Sequence, residues 1–485
     1  MASPKAIVIF GASGDLTQRK LGPALHSLSC AGQLPTPTNV IGVGRTVLSD
    51  EAFRDRLYRG IEAYARLKPD PNLCNLWPTL GHRFSYLAGS IDDARTYTRL
   101  GQRIAALSEA PLEDTGVLYY LAVPPEAAET IVAGLATAGL HRSGHGWRRI
   151  VFEKPFGVDG EAAARLNRRV HDVFREPQVF RIDHYLGKET VQNILVLRLA
   201  NGIFAPLWSR EFVDHVQITL AESGGVGRRG ATYDRMGVVR DVLQNHGLQL
   251  VALAMMEPPV SLAPEPLRDA KLAVLRAIRR PEPSDAVLGQ YQGYRDEPDV
   301  DPGSDTPTYV AVRLHVNTWR WRGVPLYLRC GKQMAEKVTE ITVQFKPTAT
   351  PLTNALPPPN RLTLRLQPDE GIKLRIQTKV PGAGQRIRST DLAFGYAEQF
   401  GPDAIPDAYE RLLLDALEGD PTLFLRSDEI EAAWDVVEPL LRRETGADVP
   451  FPYSEGSWGP AEADALIERD GRSWLAGCAP TRRNA

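Results

Sequence analysis

The chain begins with an apolar run that leads directly into a glycine-rich turn, and this junction constrains the fold more than any other feature. Ala6–Phe10 is typical of a buried parallel strand, and Gly11 and Gly14 follow at once. Between a first strand and a helix, such a turn lets backbone N–H groups approach a pyrophosphate. The spacing is G-x-x-G rather than the full G-x-G-x-x-G, so a purely structural turn remains an alternative.

Short apolar strands alternate with helices up to about residue 150. Ser49 is a plausible N-cap, because Asp50 and Glu51 follow it. This alternation predicts a doubly wound parallel sheet. The predicted strands and helices after the first strand are Lys20–Leu28 (helix), Val40–Val43 (strand), Val117–Ala122 (strand), Glu126–Ala138 (helix) and Arg149–Phe152 (strand).

The pattern changes after about residue 180. Four segments alternate with period two, which predicts strands with one covered face in an antiparallel sheet. Asp234–Glu257 is predicted to be one long, mostly apolar helix, and the proline-rich residues Thr350–Pro359 an exposed loop. The four alternating segments are Val213–Leu220, Tyr309–Val316, Glu340–Phe345 and Arg361–Leu366.

Composition excludes several classes of protein. At 485 residues two large domains are expected, and a net charge of −2 argues against a nucleic-acid-binding protein. From the sequence we expect neither a signal peptide, nor a membrane-spanning apolar run, nor a prenylation box at Arg482–Ala485. The cysteines Cys30, Cys74, Cys330 and Cys478 are far apart, so we expect no disulfide framework, no metal site and a reducing cytoplasmic location.

The end of the second strand indicates which dinucleotide binds. An acid there would accept the ribose 2′-hydroxyl of NAD, whereas Gly44-Arg45-Thr46 offers a forked cation that suits the 2′-phosphate of NADP. NADP is therefore favoured over NAD, with a surface arginine as the alternative. Val123-Pro124-Pro125 ends another strand at the sheet edge where ligands bind.

Residues suited to an anionic substrate cluster elsewhere. The segment Arg181–Glu189 places Asp183, His184, Tyr185 and Lys188 within six residues. Lys154 follows the strand at Arg149–Phe152, and its bond to Pro155 is a candidate cis peptide. Lys332 and Lys337 flank a short loop and could hold a dianionic phosphate; for these lysines, as for Lys154, a solvated loop position is the alternative.

Polar residues interrupt the long apolar helix, where each must find a partner or do chemistry. In an α-helix, Asp241 and His246 would lie about 140° apart. An acid that orients His246 should therefore come from elsewhere, and Asp183 is a candidate. The alternative for His246 is a core histidine with satisfied hydrogen bonds.

These motifs together resemble the glucose-6-phosphate dehydrogenase family over residues 6–460. The resemblance is carried by G-A-S-G-D-L at 11–16, E-K-P-F-G at 153–157, R-I-D-H-Y-L-G-K-E at 181–189, R-D-V-L-Q-N-H at 240–246 and R-C-G-K at 329–332, and by later segments at 407–412, 424–429 and 456–460. It implies an NADP-binding Rossmann-like domain over residues 1–180. A β+α substrate and dimerisation domain with a large, mainly antiparallel sheet would follow over 181–485.

The resemblance also implies oxidation of D-glucose 6-phosphate at C1, with hydride transfer to NADP. His246 would be the general base and Asp183 its orienting acid. The implied substrate contacts are Lys154, His184, Tyr185, Lys188, Glu222, Asp241, Lys332, Lys337 and Gln367. The implied cofactor contacts are Gly11, Ser13, Gly14, Asp15, Leu16, Arg45, Tyr86, Ala122, Pro125 and Lys154.

Animal members of the family bind a second, structural NADP. Here Val338–Thr342 lacks the basic residues expected for that site, Arg365 fits, and Lys373 replaces an expected aromatic. We therefore expect no such second site. A homodimer or homotetramer is expected, and the sequence does not choose between them.

Two other functions remain open. One is a non-catalytic sensor of NADP or of a sugar phosphate, although the acid and base residues that such a copy would lose are all present. The other is a dehydrogenase of another sugar, such as free glucose or galactose 6-phosphate. The cluster of His184, Tyr185 and Lys188 favours a phosphorylated substrate and so argues against the free sugar, but it does not choose between epimers.

Overall fold

The computed structural model describes residues 5–70, 74–350, 356–382, 384–401, 404–444 and 449–475. Cys478, Arg482–Ala485 and residues 351–355 of the predicted proline-rich loop lie outside the described residues. The strands are β1 Lys5–Phe10, β2 Thr38–Gly44, β3 Phe84–Ala88, β4 Gly116–Leu121, β5 Arg148–Phe152, β6 Val179–Ile182, β7 Val213–Ala221, β8 Ala286–Tyr291, β9 Tyr309–His315, β10 Pro325–Gly331, β11 Val338–Phe345, β12 Arg361–Gln367, β13 Gly371–Lys379, β14 Ile387–Gly395, β15 Phe424–Leu425 and β16 Phe451–Tyr453.

The α-helices are α1 Gly22–Cys30, α2 Asp50–Tyr64, α3 Trp77–Leu80, α4 Ala94–Ser108, α5 Ala128–Thr137, α6 Gly160–His171, α7 Glu189–Ala200, α8 Gly230–Val238, α9 Leu248–Met255, α10 Pro264–Ala277, α11 Tyr396–Phe400, α12 Ala408–Glu418, α13 Ser427–Glu444 and α14 Ala461–Glu468. Two π-helical segments, Thr17–Leu21 and Val239–Gly247, directly precede α1 and α9. None of the helices formed by the described residues is long and apolar enough to cross a membrane.

The chain divides into two compact units. The first comprises Met1–Lys188, Leu262–Arg268 and Pro406–Glu431. The second comprises Glu189–Ser261, Asp269–Ile405 and Ala432–Ala485.

The first unit contains a seven-stranded sheet in the order β15-β6-β5-β4-β1-β2-β3. Strands β1 to β6 pair in parallel, and β15 pairs antiparallel with β6 at the edge of the sheet. The predicted doubly wound parallel sheet is confirmed. The chain reverses its direction of travel across the sheet between β1 and β4, and such a switch point is where open parallel sheets bind ligands.

Local signals set the helices around this sheet. The Ser49 hydroxyl accepts a hydrogen bond from the Ala52 N–H at 3.1 Å, so the predicted N-cap of α2 is confirmed. The helix predicted at Lys20–Leu28 is π-helical up to Leu21 and becomes α-helical at Gly22. Pro23, at the start of α1, has no N–H to donate to the preceding π-helical turn.

The second unit contains a nine-stranded sheet in the order β14-β13-β12-β11-β7-β10-β9-β8-β16. Its pairs are antiparallel except β7 with β10 and β8 with β16. The mainly antiparallel sheet is thus confirmed, and the four segments of period two are β7, β9, β11 and β12.

The expectation of one covered face is wrong for the two central strands. β11 is buried at every position, and β7 at every position except Asp214. The polar residues that alternate along β7 have internal partners instead of water: Thr219 accepts from Arg329, and Gln217 donates to the Ser473 carbonyl. Period two in β7 therefore separates an apolar face from a polar but buried one.

The predicted single helix over Asp234–Glu257 is also wrong. Gly237 adopts φ 64° and ψ 172°, which breaks the helix inside α8, near its end, and Val239–Gly247 is π-helical before α9 begins. Glycine is the residue that adopts this conformation without steric cost. The break and the π-helix together set the positions of Asp241 and His246.

The cysteine spacing argued against a disulfide framework, but the described residues include one disulfide. Cys30, at the end of α1, is bonded to Cys74, with their Cα atoms 5.7 Å apart. The two cysteines are 44 residues apart in sequence, so spacing alone gave no sign of the pair. Cys330 is free and buried.

Candidate functional site

The glycine-rich turn after β1 lies between the ends of β2 and β4, the two strands that pair with β1. The Gly11 and Ala12 N–H groups both donate to the Val43 carbonyl, at 2.9 and 3.1 Å. Gly11 has φ 79°, and a Cβ added there would lie 2.1 Å from the Ala122 carbonyl oxygen, so only glycine fits. The Gly14 N–H turns back to the Gly11 carbonyl at 2.8 Å. Gly11, Gly14 and Ala122 are thus brought together at the switch point of the sheet.

Hydroxyl groups line the adjacent end of β2. The Thr46 hydroxyl donates to Ser13 Oγ at 3.3 Å. The Tyr86 hydroxyl lies next to Gly44, and burial raises the pKa of this phenol, which keeps it neutral. Arg45 lies between Gly44 and Thr46 in sequence, and it is exposed. The predicted Ser13, Arg45 and Tyr86 therefore come together, and Thr46 is a residue that our sequence analysis did not assign to the site.

The remaining predicted cofactor residues flank this turn. Asp15 and Leu16 open the helical segment that leads into α1, and Asp15 is exposed, with an ion pair to Arg19 at 3.0 Å. Pro125 begins a short 3₁₀ turn after β4. The donor set of the whole turn, with the helix start at Asp15, two hydroxyls and one exposed guanidinium, fits the phosphate groups of a pyridine dinucleotide.

Lys154 is the second residue after β5, at the carboxyl end of the strand as predicted, and its bond to Pro155 is cis, which confirms that expectation. The preceding residue was not assigned a role from sequence. Glu153 accepts a hydrogen bond from the Tyr120 hydroxyl at 2.5 Å and is also hydrogen-bonded to Tyr409. Burial raises the pKa of Glu153, against the opposing effect of these phenols and of Lys154.

The segment after β6 folds into tight turns that group its functional side chains. The Leu186 N–H donates to the Asp183 carbonyl and the Lys188 N–H to the Tyr185 carbonyl, each at 3.0 Å. The buried Asp183 carboxylate also accepts from the Tyr185 N–H at 3.0 Å. These turns bring the predicted Asp183, Tyr185 and Lys188 together with His184.

Aromatic contacts fix the rings of this segment. The His184 imidazole stacks on Tyr409, with centroids 6.2 Å apart and planes 14° apart, and meets the Tyr185 ring edge-on. The Lys188 ammonium lies 4.2 Å from the centroid of the Tyr185 ring. Two groups that can carry positive charge are thus held on aromatic rings, an arrangement suited to an anionic group.

A second predicted group forms in the other unit around Lys332. Its ammonium lies 2.9 Å from a Glu222 carboxylate oxygen and 3.5 Å from one of Asp241. The Lys332 side chain is 1% exposed, so the alternative of a solvated loop lysine is wrong for it. Its charge also lies 5.0 Å from the centroid of the Tyr233 ring, a buried aromatic that no motif marked in the sequence.

The two other predicted substrate residues of this unit are less enclosed. Lys337 is exposed one residue before β11. Gln367 ends β12, and its amide donates to the Thr339 hydroxyl at 2.9 Å.

His246 is 4% exposed and lies in the π-helical segment. The Asn245 side chain donates to the Arg240 carbonyl at 2.9 Å and accepts from the His246 N–H at 2.8 Å. A π-helix bonds residues five apart, so Asp241 and His246 are one such turn apart rather than 140° apart. The angle of 140°, which holds for an α-helix, therefore does not apply to this pair, and Asp183 as the orienting acid stays a prediction.

Comparisons with known proteins cover nearly the whole chain. The family model for the glucose-6-phosphate dehydrogenase NAD binding domain matches residues 8–193, and that for the C-terminal domain of the same family matches residues 195–475. The chain is 44% identical to glucose-6-phosphate 1-dehydrogenases of Aggregatibacter actinomycetemcomitans and Mycolicibacterium smegmatis. The alignments cover 96% of both chains for the former and 98% of both for the latter.

Two solved structures agree with these sequence matches. The crystal structure of glucose-6-phosphate 1-dehydrogenase from Mycobacterium avium is 38% identical, with a TM-score of 0.86 over 98% of this chain and 99% of that chain. A glucose-6-phosphate dehydrogenase in complex with glucose 6-phosphate is 34% identical, with a TM-score of 0.90 over 97% of this chain and 98% of that chain.

Proposed function

The chain belongs to the glucose-6-phosphate dehydrogenase family, and we propose that it oxidises D-glucose 6-phosphate at C1 to 6-phosphoglucono-δ-lactone with NADP as hydride acceptor. This reaction is the first step of the oxidative pentose phosphate pathway. The observation that carries the proposal is the group of His184, Tyr185 and Lys188 after β6. It offers cationic donors on a rigid aromatic base to the dianionic 6-phosphate.

The end of β2 supports NADP as the cofactor. The exposed Arg45 guanidinium offers forked donors to a 2′-phosphate, and the Ser13 and Thr46 hydroxyls lie next to it in the turn. Gly11 and Gly14 shape the turn, and Asp15 and Leu16, at the start of the helical segment, would present backbone N–H groups to the pyrophosphate. Tyr86, Ala122 and Pro125 complete the proposed binding residues. When bound, the nicotinamide ring accepts the hydride.

The chemical step needs a base for the C1 hydroxyl, and we assign this role to His246. Hydride leaves C1 more easily as the O–H bond breaks, and an imidazole that titrates near neutral pH suits that transfer. Asp183 would orient the imidazole, as the family resemblance implies. Lys154 would contact both substrate and cofactor.

The Lys332 group would recognise the sugar. Glu222 and Asp241 are acceptors for sugar hydroxyls, and their buried partner Lys332 holds both carboxylates in place. Lys337 and Gln367 are proposed as further substrate contacts. A homodimer or homotetramer and a cytoplasmic location remain predictions, and the Cys30–Cys74 bond removes the cysteine argument for that location.

The test is absorbance at 340 nm with purified protein, glucose 6-phosphate, and either NADP or NAD, with free glucose and galactose 6-phosphate in parallel. Reduction of NADP with glucose 6-phosphate alone is the expected result. Faster reduction of NAD would contradict the role of Arg45 but leave the reaction intact. Activity only on another sugar would change the substrate, and folded protein without any activity would favour a sensor.

A further inference from the structure

We propose that Glu153 is a positioning residue that holds Tyr409, and through it the His184 ring, in the orientation that binds the substrate phosphate. Glu153 belongs to the E-K-P-F-G motif, but the substrate and cofactor roles described above do not include it. The inference rests on the proposed function.

Two elements of the first unit converge on the Glu153 carboxylate, which itself follows β5. Tyr120 projects from β4 and donates its hydroxyl to Glu153 Oε1 at 2.5 Å. Tyr409 belongs to the first turn of α12 and is hydrogen-bonded to the same carboxylate. One acceptor thus joins the end of β5 to the neighbouring strand and to a helix more than 250 residues later in the chain.

The first turn of α12 is itself anchored. The Asp407 carboxylate caps it by accepting from the Tyr409 N–H at 2.9 Å. Arg66 forms a forked pair with Glu410, at 3.0 and 2.7 Å. These contacts fix the backbone of Tyr409, so the bond to Glu153 determines where its hydroxyl, and with it the ring plane, points.

The ring plane of Tyr409 matters because His184 lies almost parallel to it, 14° apart. The Lys20 ammonium lies 5.9 Å from the centroid of the same ring. A carboxylate has acceptor sites for both phenols at once, whereas without it both buried hydroxyls would lose their acceptor and would have to turn. Loss of Glu153 would therefore reorient Tyr409 and take the stacking surface from His184.

The experiment compares kcat and KM for Glu153→Ala, Glu153→Gln, Tyr409→Phe and the double variant Glu153→Ala/Tyr409→Phe. Glu153→Ala and Tyr409→Phe should each raise KM for glucose 6-phosphate about tenfold, with little change in kcat or in KM for NADP. The double variant should be no worse than the poorer single variant, because both break one interaction. Glu153→Gln retains an acceptor of the same shape and should recover most of the affinity.

The matched control is Tyr119→Phe, which removes the next phenol along β4; its hydroxyl donates to the Leu140 carbonyl at 2.8 Å. This variant should retain both KM values. Additive effects in the double variant would overturn the inference. So would a Glu153→Gln variant as impaired as Glu153→Ala, because it would show that the charge of Glu153 acts on Lys154. Should Glu153→Ala fail to fold, the KM for glucose 6-phosphate of Tyr409→Phe is compared with that of the double variant Glu153→Gln/Tyr409→Phe, and this comparison decides. Wild-type protein without turnover would instead refute the proposed function.

Discussion

The buried imidazole of His246 is the residue on which the chemistry depends. We expect His246→Asn to lower kcat by about 10²- to 10⁴-fold with a modest effect on KM, because a general base acts in the transition state more than in binding. Steady-state kinetics at 340 nm measures this. His145→Asn is the matched control, since His145 is exposed on a turn. A near-normal kcat in His246→Asn would make the assignment of the base wrong.

Asp415 gives a pH-dependent prediction. Burial raises its pKa from 3.8 to about 6, against the effect of Arg411. The folded state therefore binds a proton at a higher pH than the unfolded state, and this group adds stability as the pH falls from about 7 to 4. Above pH 7 the buried charge costs stability, at most about 3 kcal/mol by the size of the shift.

We expect Asp415→Asn to be more stable than the wild type at pH 8 and the difference to shrink towards pH 4. Denaturant unfolding at several pH values measures it. A difference independent of pH would contradict the assigned pKa of Asp415.

At the scale of elements, the Cys30–Cys74 bond joins the end of α1 to the segment before α3. Closing a loop of 44 residues stabilises a folded chain by up to about 4 kcal/mol in the chain-entropy model. We expect a reducing agent to lower the first thermal transition of the wild type by several degrees. The variant Cys30→Ser/Cys74→Ser should start at the lower temperature and not respond to the reductant. An equal response in both proteins would show that the bond does not stabilise the fold.

Elements whose signals are local could be predicted from the sequence. The cap at Ser49, the turn at Gly11 and the strands of period two depend on neighbouring residues, and the structure confirms each of them. Features that depend on distant partners could not be predicted. The burial of Lys332 requires Glu222 and Asp241 from other elements, and the pairing of Cys30 requires a residue 44 positions later.

The π-helix around His246 escaped prediction for a different reason. Apolar residues recur along Asp234–Glu257 in a way that fits an ordinary helix, and periodicity alone does not distinguish an i→i+4 from an i→i+5 ladder. Gly237 was a local sign of a break, but glycine inside a helical pattern is tolerated too often to be decisive. Asp241 and His246 were therefore identified as candidate residues from the sequence, but the angle between them around the helix axis was not.

At the scale of the whole molecule, the first sheet is assembled from parts far apart in the chain. Its edge strand β15 pairs Phe424 with Ile182 and Leu425 with Arg181. Residues 406–431 belong to the first unit although they follow most of the second in sequence.

This interleaving affects how the protein is made. A ribosome adds about 5–20 residues per second, so Phe424 emerges more than ten seconds after β6. Until then the nascent chain presents the unpaired edge of β6, which is a template for wrong pairing with other chains. The first unit therefore cannot reach its final form when only residues 1–188 have been translated. Its sheet is completed after the last fifth of the chain, which contains β15, has been made.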